Sequence, residues 1–253
     1  MLTNNNIKKI KNLIARSKAR REAGLFVIEG RKMFMEAPDD WIREIYVTKD
    51  FLLKNEASHK LSGHEYTIVT DDQMERLCDT KTPQGVLCVL QMPEHELPDF
   101  CKDEENAGST VMILEDIQDP GNLGTIIRTA EAAGVAHVIM SSNTVDIYNP
   151  KTIRSTMGSI YRVPFSYTDD LKASVAMLKE KGYKVYAAHL KGERFYNEVD
   201  YGRTAFMIGN EGNGLKDETA ALADEYIKIP MKGEVESLNA AIAAAILMFA
   251  AFR

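Results

Sequence analysis

The sequence predicts an α/β protein with two domains, of which the C-terminal one is built on a parallel sheet. From residue 109 onward, apolar runs typical of buried strands alternate with helical patterns, which indicates a parallel sheet with helices on both faces. Shorter β-rich runs before it predict a smaller α/β/α module. Residues 92–108 carry two prolines and six acidic residues but few apolar ones, which is typical of a linker. The predicted domains are therefore 1–91 and 109–253.

The strands that support this fold class are short and bounded by turn residues. In the first domain we expect them at 26–28, 45–47, 66–69 and 85–90. In the second domain we expect them at 111–114, 137–140, 184–188, 205–208 and 226–229. The longest apolar stretch, residues 240–252, is rich in alanine and too short for the roughly 18 residues that a membrane span needs. It is predicted to be a tightly packed, buried helix, so no membrane partner is expected.

The composition indicates a globular protein without a structural metal. The chain has 253 residues and is 45% hydrophobic, which is enough to bury a full core. Cys78, Cys88 and Cys101 form neither a Cys-x-x-Cys pair nor an even disulfide framework, which favours a reducing compartment and argues against zinc. The five histidines lack His-Glu-x-x-His spacing. We therefore expect a cytoplasmic protein that binds no metal.

The N-terminal end is basic, although the chain as a whole has a formal net charge of −6. Within residues 1–32, nine lysines and arginines stand against two glutamates, and residues 7–21 combine apolar side chains at helical spacing with cations on the other side. Such a helix presents either a solvated polar face or a docking surface for RNA, and both interpretations stay open. The candidate RNA ligands at this end are Lys8, Lys9, Lys11, Arg20, Arg21 and Arg31.

The first chemically informative segment is 119–128, which follows a predicted strand. Pro120-Gly121 forces a turn, Asn122 is suited to cap the next helix, and Arg128 lies near its second turn. Taken alone, Asn122 is a cap and Arg128 is a surface cation. A related segment, 149–159, places cations and hydroxyls beside another helix start, where Arg154 is either an RNA contact or part of simple capping.

Two further segments follow predicted strands. Residues 209–214 have the spacing G-x-x-x-x-G but lack the Lys-Ser/Thr of a phosphate-binding loop and the order G-x-G-x-x-G. Neither an ATPase nor a dinucleotide fold is therefore supported. Glu211 lies in this bend. In the last segment, residues 229–231 close a strand and Ser237 is the expected N-cap of the final helix, with Asn239 in its first turn. Parallel strands bring their carboxyl ends to one edge, so all three segments should meet there.

In order and chemistry, these three segments closely resemble the motifs of the SpoU (TrmH) family of RNA ribose methyltransferases, in the SPOUT superfamily. The resemblance covers residues 109–253. A weaker one covers the N-terminal part, where residues 26–30 and 82–87 look like the family's substrate-binding extension. It implies a trefoil knot in the C-terminal domain, a ribosomal-protein-like RNA-binding domain before it, and a homodimer formed through helices of the C-terminal region.

The same resemblance implies the cofactor and the residues around it. S-adenosyl-L-methionine would lie bent in the knotted loops, with apolar side chains walling its adenine. The implied cofactor residues are Gly209, Ile229, Leu238, Met231, Ile208 and Leu190. The implied catalytic set is Arg128, Asn122, Glu211, Ser237 and Asn239. Arg128 acts either as a base or as a clamp on the neighbouring phosphate, and its pKa above about 12 makes it a reluctant base.

The expected function is therefore methylation of a ribose 2′-hydroxyl in structured RNA by a homodimer, with ribosomal RNA favoured and transfer RNA as the alternative. A rival hypothesis is an RNA-binding protein that keeps the fold without catalysis. That rival predicts damage at Arg128, Glu211 or Asn239, and all three residues are intact.

Overall fold

The computed structural model describes residues 2–54, 58–93 and 109–252. Contacts between Cα atoms divide the chain into two compact units. The first unit comprises Met1–Glu94 and Asp146–Tyr161, and the second comprises His95–Val145 and Arg162–Arg253. Most of the predicted linker lies outside the described residues, as does Cys101, and the predicted domain boundaries stay a prediction. Residues 146–161 are grouped by their contacts with the first unit, whereas the sequence analysis placed them in the C-terminal domain.

Helices and strands follow one another along the chain in the order expected of an α/β protein. The N-terminal part contains α1 (Asn4–Ala15), α2 (Ser17–Ala23), β1 (Leu25–Glu29), α3 (Arg31–Glu36), β2 (Ile42–Thr48), α4 (Lys49–Leu53), α5 (Ser58–Leu61), β3 (Thr67–Val69), α6 (Asp71–Leu77) and β4 (Val86–Gln91). The C-terminal part contains β5 (Thr110–Leu114), α7 (Pro120–Ala132), β6 (His137–Ser141), α8 (Pro150–Thr156), β7 (Phe165–Thr168), α9 (Leu171–Glu180), β8 (Lys184–Ala188), β9 (Arg194–Phe195), β10 (Thr204–Ile208), α10 (Asp217–Ala220), β11 (Glu225–Lys228) and α11 (Ala240–Ala251).

The first unit is built on a four-stranded sheet in the order β1-β4-β2-β3. Strand β4 is antiparallel to β1 and β2, while β3 is parallel to β2. Helix α1 buries Ile10 and Leu13 in a core that includes Val27 and Leu87 of the sheet. The carboxyl ends of β1, β2 and β3 therefore lie at the same edge as the start of β4.

The predicted helix over residues 7–21 is wrong in one respect, because the structure breaks it at Arg16, whose backbone is extended. Arg20 explains how the break is stabilised. Its guanidinium Nη1 donates to the carbonyls of Leu13 (2.7 Å) and Ile14 (2.9 Å), which lie at the unsatisfied end of α1, and its Nη2 lies 2.5 Å from Asp146 Oδ2. Arg20 is only 3% exposed. The interpretation of Arg20 as an RNA ligand is therefore wrong, because its guanidinium is buried and already bonded within the protein.

The second unit is built on a seven-stranded sheet in the order β7-β6-β5-β10-β8-β11-β9, in which every neighbouring pair is parallel. All residues of β5, β6 and β10 are buried, as expected for strands covered on both faces. The predicted α/β class with a parallel sheet is confirmed. The short strands β7 and β9 were not predicted, since neither forms an apolar run. The trefoil knot stays a prediction.

Helix α11 packs against α7 and buries only one of its faces. Ala241, Ala244 and Leu247 are buried, but Ile242 and Phe249 are each 51% exposed, and Phe252 just after the helix is 57% exposed. The prediction of a fully buried helix is wrong for this second face, because composition does not show which side a neighbour covers. Among the described helices, none is long and apolar enough to cross a membrane.

Candidate functional site

The three sequence motifs meet at the carboxyl edge of the parallel sheet in the second unit. Strand β5 leads into the 119–128 segment, β10 ends directly before Gly209, and β11 ends directly before Ile229. Strand β10 pairs with β5 on one side and with β8 on the other, and β11 pairs with β8. The topology thus gathers polar side chains that are far apart in the sequence.

The carboxylate of Glu211 binds the second motif to the first. Its Oε1 accepts hydrogen bonds from the backbone N–H of Asp119 and from Asn122 Nδ2, both at 3.0 Å, and its Oε2 accepts one from the N–H of Gln118 at 3.0 Å. Partial burial acts to raise the pKa of Glu211, but these hydrogen bonds outweigh it and hold the pKa below its ordinary value. Glu211 is therefore an ionised carboxylate that links the first two motifs and accepts protons weakly.

Asn122 does not cap helix α7, contrary to the sequence prediction. The N-cap is Asp119, whose Oδ1 accepts from the N–H of Asn122 at 2.9 Å, and Pro120 occupies the first helical position, which needs no N–H donor. This arrangement leaves the side chain of Asn122 available. Its amide nitrogen donates to Glu211, and its oxygen accepts from Asn239.

Asn239, and not Ser237, is the N-cap of the final helix. Its Oδ1 accepts from the N–H groups of Ala241 (2.9 Å) and Ile242 (3.2 Å), while its Nδ2 donates to Asn122 Oδ1 at 2.9 Å. The predicted cap at Ser237 is wrong because the helix begins two residues later than expected. One amide thus starts α11 and also ties the third motif to the first, so that Glu211, Asn122 and Asn239 form a continuous hydrogen-bonded chain.

The loop after β10 is shaped by a residue that the sequence analysis missed, Asn210. Its Oδ1 accepts from the backbone N–H groups two and three residues later, and its Nδ2 donates to the carbonyl of Asp116 at 2.8 Å. Backbone hydrogen bonds join Asn210 and Gly214 in both directions. A Cβ at Gly209 would lie 2.1 Å from the carbonyl carbon of Gly214, so only glycine fits there. An asparagine shortly before a glycine was the available signal for this turn.

A cavity of about 410 Å³ opens beside this loop. Its walls include all six residues predicted to contact the cofactor: Leu190, Ile208, Gly209, Ile229, Met231 and Leu238. Glu211 and Ser237 also line it. The volume is in the range of small-molecule sites, and apolar side chains beside exposed loop backbone suit a flat adenine with a polar edge. The residues present therefore fit S-adenosylmethionine, although the contact of each with the cofactor stays a prediction.

Arg128 lies on the exposed side of α7. It is exposed and makes no side-chain hydrogen bond or ion pair within the described ranges. It lies six residues after Asn122, which is about 9 Å along the helix axis. Its guanidinium is therefore available to a ligand.

The cations predicted to bind RNA in the first unit differ in their surroundings. Lys9 pairs with Glu44 at 2.5 Å, and Lys11 donates to the carbonyl of Cys78. Lys8 and Arg31 are exposed, Arg21 donates to Ser17, and Arg154 pairs with Asp79 at 2.9 Å. Apart from Arg20, these residues stay candidates. In the part of the chain that the structure describes, no cluster of three or more ligating side chains is arranged for a metal ion.

Comparisons with known proteins show the family of the chain. A sequence model of the SpoU rRNA Methylase family matches residues 109–249, and one of the MRM3-like substrate binding domain matches residues 4–88. The chain belongs to the SpoU rRNA methylase family. The expectation of an S-adenosylmethionine-dependent RNA 2′-O-methyltransferase is thereby confirmed.

Three methyltransferases resemble the chain over nearly its full length. It is 35% identical to the Bacillus subtilis 23S rRNA (guanosine(2553)-2′-O)-methyltransferase RlmP, over 92% of this chain and 90% of that protein. The AdoMet-bound rRNA methyltransferase from Sinorhizobium meliloti is 30% identical with a TM-score of 0.86, covering 99% and 95% of the two chains. The methyltransferase AviRb from Streptomyces viridochromogenes, 24% identical with a TM-score of 0.88 over 99% and 97%, shares the fold.

The hydrogen bonds to Glu211 predict a pH dependence of stability. Because the folded-state pKa lies below the ordinary value of 4.5, the stabilisation is complete above about that pH and is lost as the pH falls through the folded-state value. We expect Glu211→Gln to lower the urea midpoint at pH 7 and the gap from the wild type to narrow below pH 4.5. Exposed Glu234, changed to Gln, is the control and should show no such gap. If the difference in urea midpoint between Glu211→Gln and the wild type stayed constant down to pH 3, the ionised carboxylate would not be the source of the stabilisation.

Proposed function

We propose that this SpoU family member methylates the ribose 2′-hydroxyl of a guanosine in 23S ribosomal RNA. The similarity to RlmP over nine tenths of both chains supports this proposal more strongly than any other observation. The first unit supports it too, since residues 4–88 match a substrate binding domain. Transfer RNA is the alternative, because other relatives carry the broader description tRNA/rRNA methyltransferase.

The cofactor site in this proposal is the cavity beside residues 209–214. When bound, S-adenosylmethionine supplies an activated methyl group on a sulfonium centre. Ile208, Ile229 and Leu238 provide apolar walls, and the loop backbone offers hydrogen-bonding groups to the adenine edge. The hydrogen-bonded chain from Glu211 to Asn239 keeps the loops on either side of the cavity at a fixed separation.

The reactive hydroxyl has to lose a proton, and Glu211 is poorly suited to accept it. Three hydrogen bonds occupy its oxygens and lower its pKa. Arg128 is a protonated guanidinium, which binds phosphate well and accepts protons poorly. In this mechanism Arg128 binds the phosphate next to the target ribose and stabilises the negative charge that develops on the 2′-oxygen. Ser237, exposed at the rim of the cavity, is a further candidate contact to the RNA.

The active protein is proposed to be a homodimer that pairs through α11. This helix carries no charged residue, and Ile242, Phe249 and the adjoining Phe252 expose a row of large apolar side chains. Such a row on an otherwise folded unit is typical of an interface. In a two-fold dimer the same patch of each copy faces the other, so a second copy of the same apolar helix face is a suitable partner.

Mapping of 2′-O-methyl groups tests the proposed substrate. Ribosomal RNA from cells that lack the gene should have lost a single ribose methyl group, on the 23S guanosine that corresponds to guanosine 2553 in the name of RlmP. Purified protein with S-adenosylmethionine should restore this methyl group. Loss of a methyl group from transfer RNA alone would favour the alternative substrate, and unchanged ribosomal RNA would contradict the proposal.

Substitution of Arg128 separates binding from catalysis. We expect Arg128→Ala to lower methyl transfer by about 10²–10³-fold while the affinity for S-adenosylmethionine, measured by calorimetry, stays within a factor of two or so. Lys181→Ala removes another exposed cation of the second unit and should leave both quantities unchanged. An equal loss of transfer and cofactor affinity in Arg128→Ala would assign Arg128 a structural role.

Sedimentation velocity tests the dimer. Phe249→Glu places a charge in the exposed row and should convert the dimer to a monomer without loss of helical content. The control is Leu53→Glu, since Leu53 is 81% exposed and lies on α4 in the other unit. A monomeric wild-type protein, or dissociation by both variants, would contradict an interface at α11.

A further inference from the structure

A second cavity, of about 250 Å³, lies within the first unit and has no part in the site described above. It opens between the start of α3, the 80–84 loop and the end of α8. Its lining includes Lys32, Met33, Thr82, Gln84, Arg154 and Met157. The volume is below the roughly 300–1,000 Å³ of pockets for drug-sized ligands, so it suits one small ring system.

Two methionines form the apolar part of this cavity. Met33 is buried, whereas Met157 is 40% exposed and has a left-handed backbone (φ 54°) directly after α8. Methionine side chains adapt their shape and make favourable sulfur contacts with aromatic rings. No aromatic side chain is among the described residues that line the cavity. An aromatic ring that contacts these thioethers inside the cavity would therefore belong to a ligand.

The frame of the cavity is fixed by Glu29. Its carboxylate accepts hydrogen bonds from the N–H of Asp79 (2.6 Å), the N–H of Thr80 (3.2 Å) and the hydroxyl of Thr80 (2.9 Å). Asp79 in turn pairs with Arg154. Three of the roughly four acceptor directions of Glu29 are therefore in use, and the loop is held open before any ligand arrives.

Two polar side chains at the cavity wall, Gln84 and Thr82, keep hydrogen-bonding groups unused within the described residues. Gln84 Oε1 accepts from the backbone N–H of Arg31 at 2.9 Å, which fixes the orientation of the amide and leaves its Nε2 donors without a hydrogen bond in the described part of the chain. The hydroxyl of Thr82 is likewise exposed and without a hydrogen bond there. Gly30, at φ 92°, lies so close that a Cβ would stand 3.1 Å from Gln84 Oε1. Donors at a wet edge beside an apolar wall suit a flat ligand with a polar rim.

We propose that this cavity binds one unstacked nucleobase of the RNA substrate, at a distance from the nucleotide that is methylated. A base has an apolar face for Met33 and Met157 and a polar edge for Gln84 and Thr82. Lys32 and Arg154 at the rim carry positive charge, and each pairs with a carboxylate in the structure: Lys32 with Glu36 at 3.8 Å and Arg154 with Asp79 at 2.9 Å. In the proposed complex, phosphates next to the bound base replace these carboxylates. Single-stranded loops of folded RNA present bases in this way. The inference rests on the proposed function, because it takes RNA to be the substrate.

Methyl NMR of the full-length protein, labelled with ¹³C at the methionine methyl groups, tests the proposal directly. The probe is a ten-nucleotide single-stranded RNA of mixed sequence, compared with the same backbone carrying no bases. We expect ring-current shifts of the Met33 and Met157 methyl signals with the first probe only. Met35 is an internal control, since it lies on α3 with 38% exposure and does not line the cavity. Shifts confined to other methionines, or equal shifts with the baseless probe, would overturn the proposal.

Affinity measurements with the same two probes give a second test. Met157→Ala should weaken binding of the base-carrying probe by about 2- to 10-fold, while Met35→Ala should not. Thr82→Val removes the hydroxyl but keeps the side-chain shape, and it should also weaken binding of the base-carrying probe. Because Thr82 is exposed, this variant remains a test if Met157→Ala fails to fold. Wild-type affinity in both cavity variants would refute the proposal. Methyl transfer to ribosomal RNA is measured in parallel. If 23S ribosomal RNA is not the substrate, transfer is absent but the NMR shifts of Met33 and Met157 remain, which separates failure of the proposed function from failure of the base site.

Discussion

The site depends on one carboxylate, that of Glu211, having three hydrogen-bond donors around it. Two of these donors are backbone N–H groups at the turn before α7, and the third is the side chain of Asn122. Through Asn122 the same chain reaches Asn239, which starts the last helix. The bonds from Asp119 and Asn122 to Glu211 are half-buried, where an unpaired donor is costly, whereas the bond from Asn239 to Asn122 is exposed. The first two motifs are therefore held together more firmly than the third, which the shared cap residue Asn239 adds to the chain.

Helix caps give this arrangement its geometry. Because Asp119 caps α7, the side-chain amide of Asn122 is left to face the neighbouring loops. Because Asn239 caps α11 through Oδ1, its Nδ2 is left to donate to Asn122. The two helices also pack on each other. The loops beside the larger cavity and the helix starts are therefore parts of one hydrogen-bonded structure, while the exposed guanidinium of Arg128 takes no part in it within the described residues.

The sequence predicted the strands and the three motifs well, because buried parallel strands are continuous apolar runs and glycine-rich turns mark where they end. It did not predict which polar residue caps a helix, since Ser237 and Asn239 both satisfy the cap preference and only the path of the chain decides between them. Charge gave no information on burial, as Arg20 shows: it is indistinguishable in sequence from Arg21, yet it anchors the end of α1. The cavity lined by Met33 and Met157 was missed for a similar reason, because it joins residues more than 120 positions apart.

A double-mutant cycle on Asn122 and Asn239 tests the central claim most directly, with the affinity for S-adenosylmethionine measured by calorimetry. Asn122→Ala removes the bridging amide, and Asn239→Ser keeps a good helix cap but is too short to reach Asn122. If one hydrogen-bonded chain holds the cofactor loops together, the two changes are not additive and show a coupling of about 0.5–3 kcal/mol. Effects that add to within about 0.5 kcal/mol would show that the motifs act independently and would contradict the account.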